Sequence, residues 1–289
     1  MDPNTSMNSI LITGASTGIG AACALHLARH DWTVYAGVRK EEDGKALQEQ
    51  SAYPDNIVPV LLDVCNTEQI RETIQQIATK VGERGLQGLF NNAGICVAGP
   101  LESLPLERFE QQMAINVNGQ LAVTQAALPL IRMGKGRIIF TSSTSGFLST
   151  PLLGPYCASK FALEAMADAL RMELHPWNIP VILIQPGAIA TPIWDKSSAA
   201  GEVDTEAMTA ETRERYAPLI NKLRDHVASS DDRCIPAEDV ARLLHRILTT
   251  ATPKTRYRIG TDAGLQYFLA RYVPDRLRGW LILRKLGLK

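Results

Sequence analysis

A tyrosine and a lysine four residues apart, in YCASK at 156–160, are the residues of this chain best suited to acid–base chemistry. If the segment is helical, Tyr156 and Lys160 lie one turn apart on the same face. A tyrosine with a pKa of about 10 is a weak base at neutral pH, but a neighbouring cation stabilises its phenolate and lowers that pKa. Ser143, which precedes the pair, could donate a hydrogen bond to a carbonyl oxygen that gains negative charge. The three residues predict proton transfer at a carbonyl or alcohol oxygen.

A glycine-rich turn near the N-terminus predicts a nucleotide site. Residues 9–12 are predicted to form a short buried strand, which runs into TGASTGIG at 13–20 and then into a helical pattern rich in Ala and Leu. Glycines at such a turn let the backbone approach a pyrophosphate, which the helix N-terminus stabilises. The alternative is an ordinary turn, but the flanking strand and helix favour the nucleotide site.

The Tyr-x-x-x-Lys spacing also has an alternative interpretation. Alone, it is typical of a surface tyrosine covered by a lysine stem. The predicted nucleotide site favours the catalytic interpretation.

Seven short motifs follow one another along the chain. They are TGASTGIG at 13–20, Asp63-Val64, NNAG at 91–94, Asn116 within INVNG, Ser143 within TSSTSG, YCASK at 156–160 and PGAIAT at 186–191. In this order they resemble those of the classical short-chain dehydrogenases/reductases, over about residues 9–192. The resemblance implies an α/β fold, a single doubly wound Rossmann domain over residues 1–289 with a parallel, seven-stranded sheet. It also implies a nicotinamide cofactor and an active site of Asn116, Ser143, Tyr156 and Lys160.

Further along, YRIGTDA at 257–263 and the extended C-terminus resemble the steroid and retinol dehydrogenase branch. This branch implies a hydrophobic carbonyl or alcohol substrate. A reductase of 3-oxoacyl thioesters or other small ketones is the alternative within the family. A protein that senses NADP(H) without turnover is an alternative of another class, although a sensor has no need for all four active-site residues.

The resemblance implies cofactor contacts in several groups of residues. They are Gly14, Ser16, Thr17, Gly18, Ile19 and Gly20 in the first turn; Asp63 and Val64 at the adenine; Asn92, Ala93 and Gly94 at the adenosine ribose; and Pro186, Gly187, Ile189 and Thr191 at the nicotinamide carboxamide. Tyr156 and Lys160 also lie at the cofactor, and Lys160 contacts the nicotinamide ribose. Asn116 is expected to hold a water linked to Lys160. The plainer alternatives are a helix cap for Asp63 and a satisfied helix amide for Asn116.

The end of the second predicted strand bears on the choice of cofactor. NAD-preferring enzymes use a carboxylate there to bind the ribose hydroxyls, and it would repel a 2′-phosphate. This chain has Val38 at that position, followed by Arg39 and Lys40, and a guanidinium matches a phosphate well. The pattern favours NADP(H). The alternative is that Arg39 and Lys40 are solvated loop charges and that NAD(H) is used.

Apolar runs and helical stretches alternate along the chain. Strands are predicted at 9–12, 32–37, 57–62, 88–90, 136–141 and 181–185. This alternation is typical of a parallel sheet with right-handed crossovers. In such sheets ligands bind outside the carboxyl ends of the strands, and every motif above follows a strand.

Composition narrows the class of protein. The chain has 289 residues, 45% of them hydrophobic, which suffices for the core of one domain, and its 30 basic and 30 acidic residues give no argument for nucleic-acid binding. Its five cysteines are Cys23, Cys65, Cys96, Cys157 and Cys234, without a C-x-x-C pair. They predict reduced thiols, a cytoplasmic protein and no metal. The polar segment 1–9 predicts neither a signal peptide nor a membrane span.

Several segments are expected to contact the substrate, a membrane or a second subunit. Two apolar stretches should cover the substrate pocket or simply pack as loops. They are 146–155, with Phe147, Leu148, Leu152 and Leu153, and the residues after Thr191, with Ile193 and Trp194. Residues 192–233 should form a lid. The tail 271–289 is predicted to hold a basic amphipathic helix that lies on an anionic membrane or packs on protein. The family implies a homodimer or homotetramer through helices around 107–130 and 159–174.

Overall fold

The expected apolar runs form one parallel sheet of seven strands in the computed structural model, which describes residues 8–190, 208–228 and 234–287. In chain order the strands are β1 (Asn8–Thr13), β2 (Trp32–Val38), β3 (Ile57–Leu61), β4 (Gly88–Asn91), β5 (Arg137–Thr141), β6 (Val181–Pro186), β7 (Ile189–Ala190), β8 (Ile235–Pro236) and β9 (Arg256–Ile259). Their order across the sheet is β3-β2-β1-β4-β5-β6-β9, while β7 and β8 pair with each other outside it. The order reverses between β1 and β4, which is where such a fold opens a ligand crevice.

Helices connect the strands. They are α1 (Gly18–Ala28), α2 (Glu41–Glu49), α3 (Thr67–Val81), α4 (Leu106–Met113), α5 (Gly119–Met133), α6 (Gly154–Glu173), α7 (Ala210–Ala228), α8 (Ala237–Thr249), α9 (Ala263–Tyr272) and α10 (Asp275–Lys285). A π-helical turn, Ala114–Asn118, joins α4 to α5.

The two faces of the sheet carry separate hydrophobic layers. Along β1, Ile10 and Ile12 pack in a cluster with α1 and α8, whereas Leu11, which points to the other face, packs in a cluster with α3, α5 and α6. Alternate residues of a strand face opposite sides, so a strand buried on both faces must be apolar throughout. This arrangement confirms the doubly wound α/β fold.

The predicted strands agree with the observed ones to within one or two residues. The strand expected from Gly136 begins at Arg137, and the one expected to end at Phe90 continues to Asn91. The sequence analysis did not identify β9, β7 or β8 as strands. The tail helix expected after Pro274 is present as α10. Within the described ranges, no helix is both long and apolar enough to cross a membrane.

Candidate active site

The predicted site residues lie along one edge of the sheet because all seven strands run in the same direction. The glycine turn follows β1, Arg39 follows β2, Asp63 follows β3, Asn92 follows β4 and Ser143 follows β5. Backbone bonds continue the sheet beyond its strands at this edge, for example from Ala15 N to Gly37 O at 2.9 Å. The candidate residues that follow the strands are therefore collected at the carboxyl edge of the sheet, where such folds bind ligands.

The glycine turn has a backbone that few other residues could adopt. Gly14 and Gly18 have φ of 64° and 57°, in the left-handed region that favours glycine. A Cβ on Gly20 would lie 2.2 Å from the carbonyl oxygen of Gly14. The chain thus turns tightly into α1, whose first N–H groups lack partners within the helix and can bind an anion. Ser16 and Thr17 lie in this turn, and Ile19 lies in the first turn of α1.

The NNAG motif braces the glycine turn from β4. The side-chain amide of Asn92 donates to the carbonyl oxygens of Thr13 and Gly14, each at 3.2 Å. In return, the hydroxyl of Thr13 accepts from the backbone N–H groups of Asn92 and Ala93, both at 2.9 Å. Gly94 faces the side chain of Asn116, which a Cβ on Gly94 would approach to 3.3 Å. These contacts fix the relative position of the first and third motifs.

The adenosine end of the predicted site lies beyond β2 and β3. Val38 is buried, whereas Arg39 and Lys40 are exposed, and Lys40 is the residue before α2. The charge of Arg39 acts on Cys65, which is also affected by Asp63, so these three residues are neighbours. One carboxylate oxygen of Asp63 accepts from Cys65 N at 2.9 Å, which orders the loop after β3. The helix cap of α3 is Asn66 and not Asp63.

Val64 lies beside Asp63 and is buried in the core. It packs closely on α5, since a Cβ on Gly119 would lie 2.7 Å from Val64 O. Val64 therefore packs against the first residue of α5.

Tyr156 and Lys160 lie in the first turns of α6, as the spacing predicted. The Lys160 ammonium is 5.6 Å from the centroid of the Tyr156 ring and donates a hydrogen bond of 2.7 Å to Thr141 O at the end of β5. Ser143 also lies close enough to Tyr156 to lower the pKa of its phenol. Ser143 caps the short turn after β5, where its hydroxyl accepts from Ser145 N at 3.1 Å. The structure thus brings the three residues together.

The electrostatics of this group differ from the sequence prediction. Burial raises the pKa of Tyr156 above its ordinary value, and the nearby Ser143 only partly offsets that effect. The sequence analysis expected this pKa to be lowered, whereas burial raises it. Burial also lowers the pKa of Lys160 itself to about 8. Tyr156 consequently holds its proton at neutral pH.

Asn116 is fully buried in the π-helical turn. Its side-chain oxygen accepts from Ile95 N at 2.9 Å, and its amide donates to Ile95 O at 2.9 Å and to Ser159 Oγ at 3.2 Å. These bonds tie the segment after NNAG to α6 beside Lys160. Its amide is satisfied, and the predicted water link to Lys160 remains a prediction.

The nicotinamide end is predicted at the end of β6, where Pro186 and Gly187 leave the sheet. Gly187 N donates to Ile259 O at 2.8 Å, and a Cβ on Gly187 would lie 2.2 Å from an oxygen of Asp262. Ile189 is buried in β7. Thr191 lies outside the described residues, as do Ile193 and Trp194.

A polar network behind the site was not predicted. Ser142 Oγ donates to Glu164 at 2.5 Å, and the same carboxylate accepts from Gln185 and from Arg256, both at 2.9 Å. Arg256 also donates to Asp168 at 2.8 Å. The network ties α6, which carries Tyr156, to β5, β6 and β9. The i,i+4 spacing of Glu164 and Asp168 on the helix of YCASK is the one signal that could have indicated it.

The walls around Tyr156 are apolar. The ring packs in a small cluster with Cys96, Ala98, Leu153 and Cys157. The other predicted pocket residues pack elsewhere as well. Leu148 is buried, and Leu152 packs with Met208 and with Ile220 and Leu223 of α7. The ring of Phe147 packs on that of Tyr267 in an edge-to-face arrangement, with the ring centroids 5.4 Å apart.

Helix α7 lies within the predicted lid. It is held to the loop after β4 by Glu102, which binds Arg215 and Tyr216 at 2.8 and 2.7 Å.

The chain was compared with known families and proteins. The family model of the short chain dehydrogenases matches residues 8–202. Among similar proteins, 3-amino-tetrahydro-pyrrolizinone reductase of Xenorhabdus hominickii is 39% identical, over 88% of this chain and 87% of that protein. NADPH-dependent 3-dehydrocapnine reductase of Ornithobacterium rhinotracheale is 35% identical, over 94% of each. Retinol dehydrogenase 7 of Mus musculus is 34% identical, over 93% of this chain and 85% of that protein.

The fold also has close counterparts among solved structures. A short-chain dehydrogenase from Streptomyces avermitilis superposes with a TM-score of 0.79 at 26% identity, covering 99% of this chain and 98% of that one. The motifs at the carboxyl edge, the family match over most of the chain and these relatives agree. The chain belongs to the short-chain dehydrogenase family of oxidoreductases.

Proposed function

We propose that this protein is an NADP(H)-dependent oxidoreductase that interconverts a carbonyl and an alcohol on a hydrophobic, steroid-like or retinoid-like substrate. One observation carries the proposal: Ser143 lies close enough to the phenol of Tyr156 to lower its pKa, and the ammonium of Lys160 lies 5.6 Å from the centroid of the ring. A partly buried phenol with a hydroxyl and an ammonium near it is suited to proton transfer with a substrate oxygen.

The glycine turn fits a dinucleotide. Its tight backbone at Gly14 and Gly20, and the N-terminus of α1, are suited to a pyrophosphate. Position 38 holds a valine, so no carboxylate there repels a ribose 2′-phosphate. The exposed guanidinium of Arg39 can bind that phosphate, which favours NADP(H). The printed name of the Ornithobacterium relative, an NADPH-dependent reductase, supports the same choice. NAD(H) is the alternative.

The chain's residues would act in a defined way. When bound, the nicotinamide supplies or accepts the hydride. In reduction, Tyr156 donates its phenolic proton to the substrate oxygen, and Ser143 donates a hydrogen bond to that oxygen. Lys160 binds the nicotinamide ribose, Asn116 orders the backbone beside it, and residues 186–191 orient the carboxamide. In oxidation, Tyr156 is the base. At neutral pH Tyr156 is protonated, which is the form that reduction requires.

The apolar surroundings of Tyr156 and the similarity to retinol dehydrogenase 7 support a hydrophobic substrate. The names of the two bacterial relatives, both reductases of other carbonyl compounds, favour the alternative of a reductase for 3-oxoacyl thioesters or small ketones. A non-catalytic NADP(H) sensor is the alternative of another class.

One experiment separates these alternatives. NADPH is titrated by fluorescence, and its oxidation is then followed with a retinal, a steroid ketone, a 3-oxoacyl thioester and a small ketone. We expect turnover of the bulky substrates. Tyr156→Phe should abolish turnover while keeping NADPH affinity within a few-fold, and the matched control Tyr35→Phe, at a buried tyrosine of β2, should stay active. Binding without turnover of any compound would favour a sensor, and comparable turnover in Tyr156→Phe would refute the mechanism.

A homodimer or homotetramer through the helices at 107–130 and 159–174 is part of the proposal. On α6, the apolar side chains of Phe161 and Met172 are 44% and 72% exposed, which suits burial against a second copy. Sedimentation as a monomer at micromolar concentration would contradict this assembly.

Peripheral membrane contact through the tail 271–289 is also proposed. Leu277 and Trp280 in α10 are exposed, as are Phe268 and Tyr272 in α9, among several arginines. Such a surface can insert shallowly into an anionic bilayer. Flotation with anionic liposomes tests it: the full chain should float at low salt and a chain that ends at Pro274 should not. Packing of the tail on protein is the alternative, and it predicts that neither floats.

A further inference from the structure

Three of the five histidines in the chain meet at the contact between α1 and α8. His26 lies in the last turn of α1, His30 follows the end of that helix, and His245 lies in α8. The ring centroids are 4.3 Å apart for His26 and His30, 4.4 Å for His30 and His245, and 5.4 Å for His26 and His245. The two helices bring these rings together because they share the core layer on one face of the sheet.

The donor atoms lie close to the geometry of a metal site. One ring nitrogen from each histidine lies within 4.8 Å of the other two. In a tetrahedral zinc site, with Zn–N bonds of about 2.0–2.1 Å, such nitrogens are roughly 3.4 Å apart. The rings therefore need to close by no more than about 1.4 Å, and the exposed His30 is free to adjust on the solvent side.

A hydrogen bond already fixes the tautomer of one ring. Nδ1 of His30 lies 2.8 Å from the carbonyl oxygen of His26, and a carbonyl oxygen only accepts, so Nδ1 carries the proton. Nε2 of His30 then keeps its lone pair for a ligand. Metal-binding histidines are commonly oriented by such a bond from the other ring nitrogen to a carbonyl.

The surrounding charges bear on which ligand could bind. Arg29 and Arg242 lie near His26, and they oppose a second cation. Arg242 is paired with Asp239, one turn earlier in α8, so its charge is partly offset. Zinc, copper and nickel bind imidazole ligands more readily than magnesium or calcium do.

We propose that His26, His30 and His245 form a binding site for one divalent transition-metal ion of the zinc type, with a fourth position left for solvent. The site lies about 12 Å along α1 from the glycine turn, because Gly18 and His26 are eight residues apart at 1.5 Å each. The ion would link α1 to α8 and stabilise the fold without taking part in hydride transfer. The sequence analysis expected no metal because the cysteines form no C-x-x-C pair, and His245 is far from the other two histidines along the chain.

The experiment uses the full-length chain, stripped with a chelator and then titrated with Co²⁺ as an optical probe and with Zn²⁺ by calorimetry. We expect saturable binding of one ion per chain and visible cobalt bands without an intense thiolate charge-transfer band. Zinc at about 100 times its Kd should raise Tm by roughly 5 °C. His26→Gln and His245→Gln should lose both effects, and His175→Gln, at an exposed histidine elsewhere, should keep them.

The outcomes decide the proposal even if one variant fails to fold, because the wild-type titration stands alone. Absence of saturable binding of one ion would overturn it. A thiolate band would instead assign the ion to a cysteine such as the exposed Cys65, and unchanged binding in a folded His245→Gln chain would show that the rings only pack together. Turnover by the folded glutamine variants should match wild type, so failure of this inference does not affect the proposed function.

Discussion

Replacing the buried Lys160 with methionine should change how stability depends on pH. Lys160 is only 5% exposed, and burial lowers its pKa from the ordinary 10.5 to about 8. The unfolded chain regains the ordinary value. Since one pKa unit corresponds to about 1.4 kcal/mol, the protonated ammonium costs the folded state about 3 kcal/mol.

The sign of the effect follows from where the proton is bound. Below pH 8, Lys160 is protonated in both states, and the full cost is present. Between pH 8 and 10.5 the unfolded state keeps the proton and the folded state loses it, so the free energy of unfolding rises with pH. Methionine does not titrate. The wild type should therefore gain about 3 kcal/mol over Lys160→Met across this window.

Urea unfolding of both chains at several pH values from 7 to 10, without cofactor, measures this difference. Loss of the hydrogen bond to Thr141 O destabilises the variant by about 1–3 kcal/mol at every pH, so the change with pH carries the test. Lys45→Met, at an exposed lysine of α2, is the control and should track the wild type. If Lys160→Met also tracks the wild type, burial does not control the ionisation of Lys160.

Three further predictions test the site and its support. Val38→Asp should shift the ratio of kcat/KM toward NAD(H) by about tenfold; an unchanged ratio would place the 2′-phosphate elsewhere. Gly20→Ala should weaken NADPH binding in a fluorescence titration, because the new Cβ would lie 2.2 Å from Gly14 O; wild-type affinity would show that the turn can adapt. Arg256→Met should lower the free energy of unfolding in urea by about 1–3 kcal/mol, because Glu164 and Asp168 each lose one of their partners; no loss would mean that the network is not structural.

Local signals account for what could be predicted from the sequence. The apolar run of β1 followed by Gly14 and Gly18 specifies a strand, a turn and a helix within 20 residues, and the four-residue spacing of Tyr156 and Lys160 fixes their shared face. A parallel sheet then collects whatever follows its strands at one edge. Knowledge of these short patterns was therefore enough to predict the fold class and the grouping of the catalytic residues.

Features that depend on packing between distant segments could not be predicted. The edge strand β9 has the sequence RYRI, which lacks the apolar run of an inner strand. The bond between Glu164 and Arg256 and the meeting of His245 with His26 exist only because the topology brings these segments together. The direction of the pKa shift of Tyr156 differs from the prediction for the same reason: the cation four residues away is visible in the sequence, whereas the burial that raises this pKa is not.

The packing of Tyr156 and Lys160 and the polar network behind them are related. An apolar site shifts the pKa of both Tyr156 and Lys160 toward their neutral forms, which destabilises the folded state when Lys160 is charged. The same helix is anchored one turn later, where Glu164 and Asp168 bind Arg256 of β9. These ion pairs tie α6 to the edge strand of the sheet. The fold thus anchors the helix where charge can be paired and packs the ring of Tyr156 against apolar side chains.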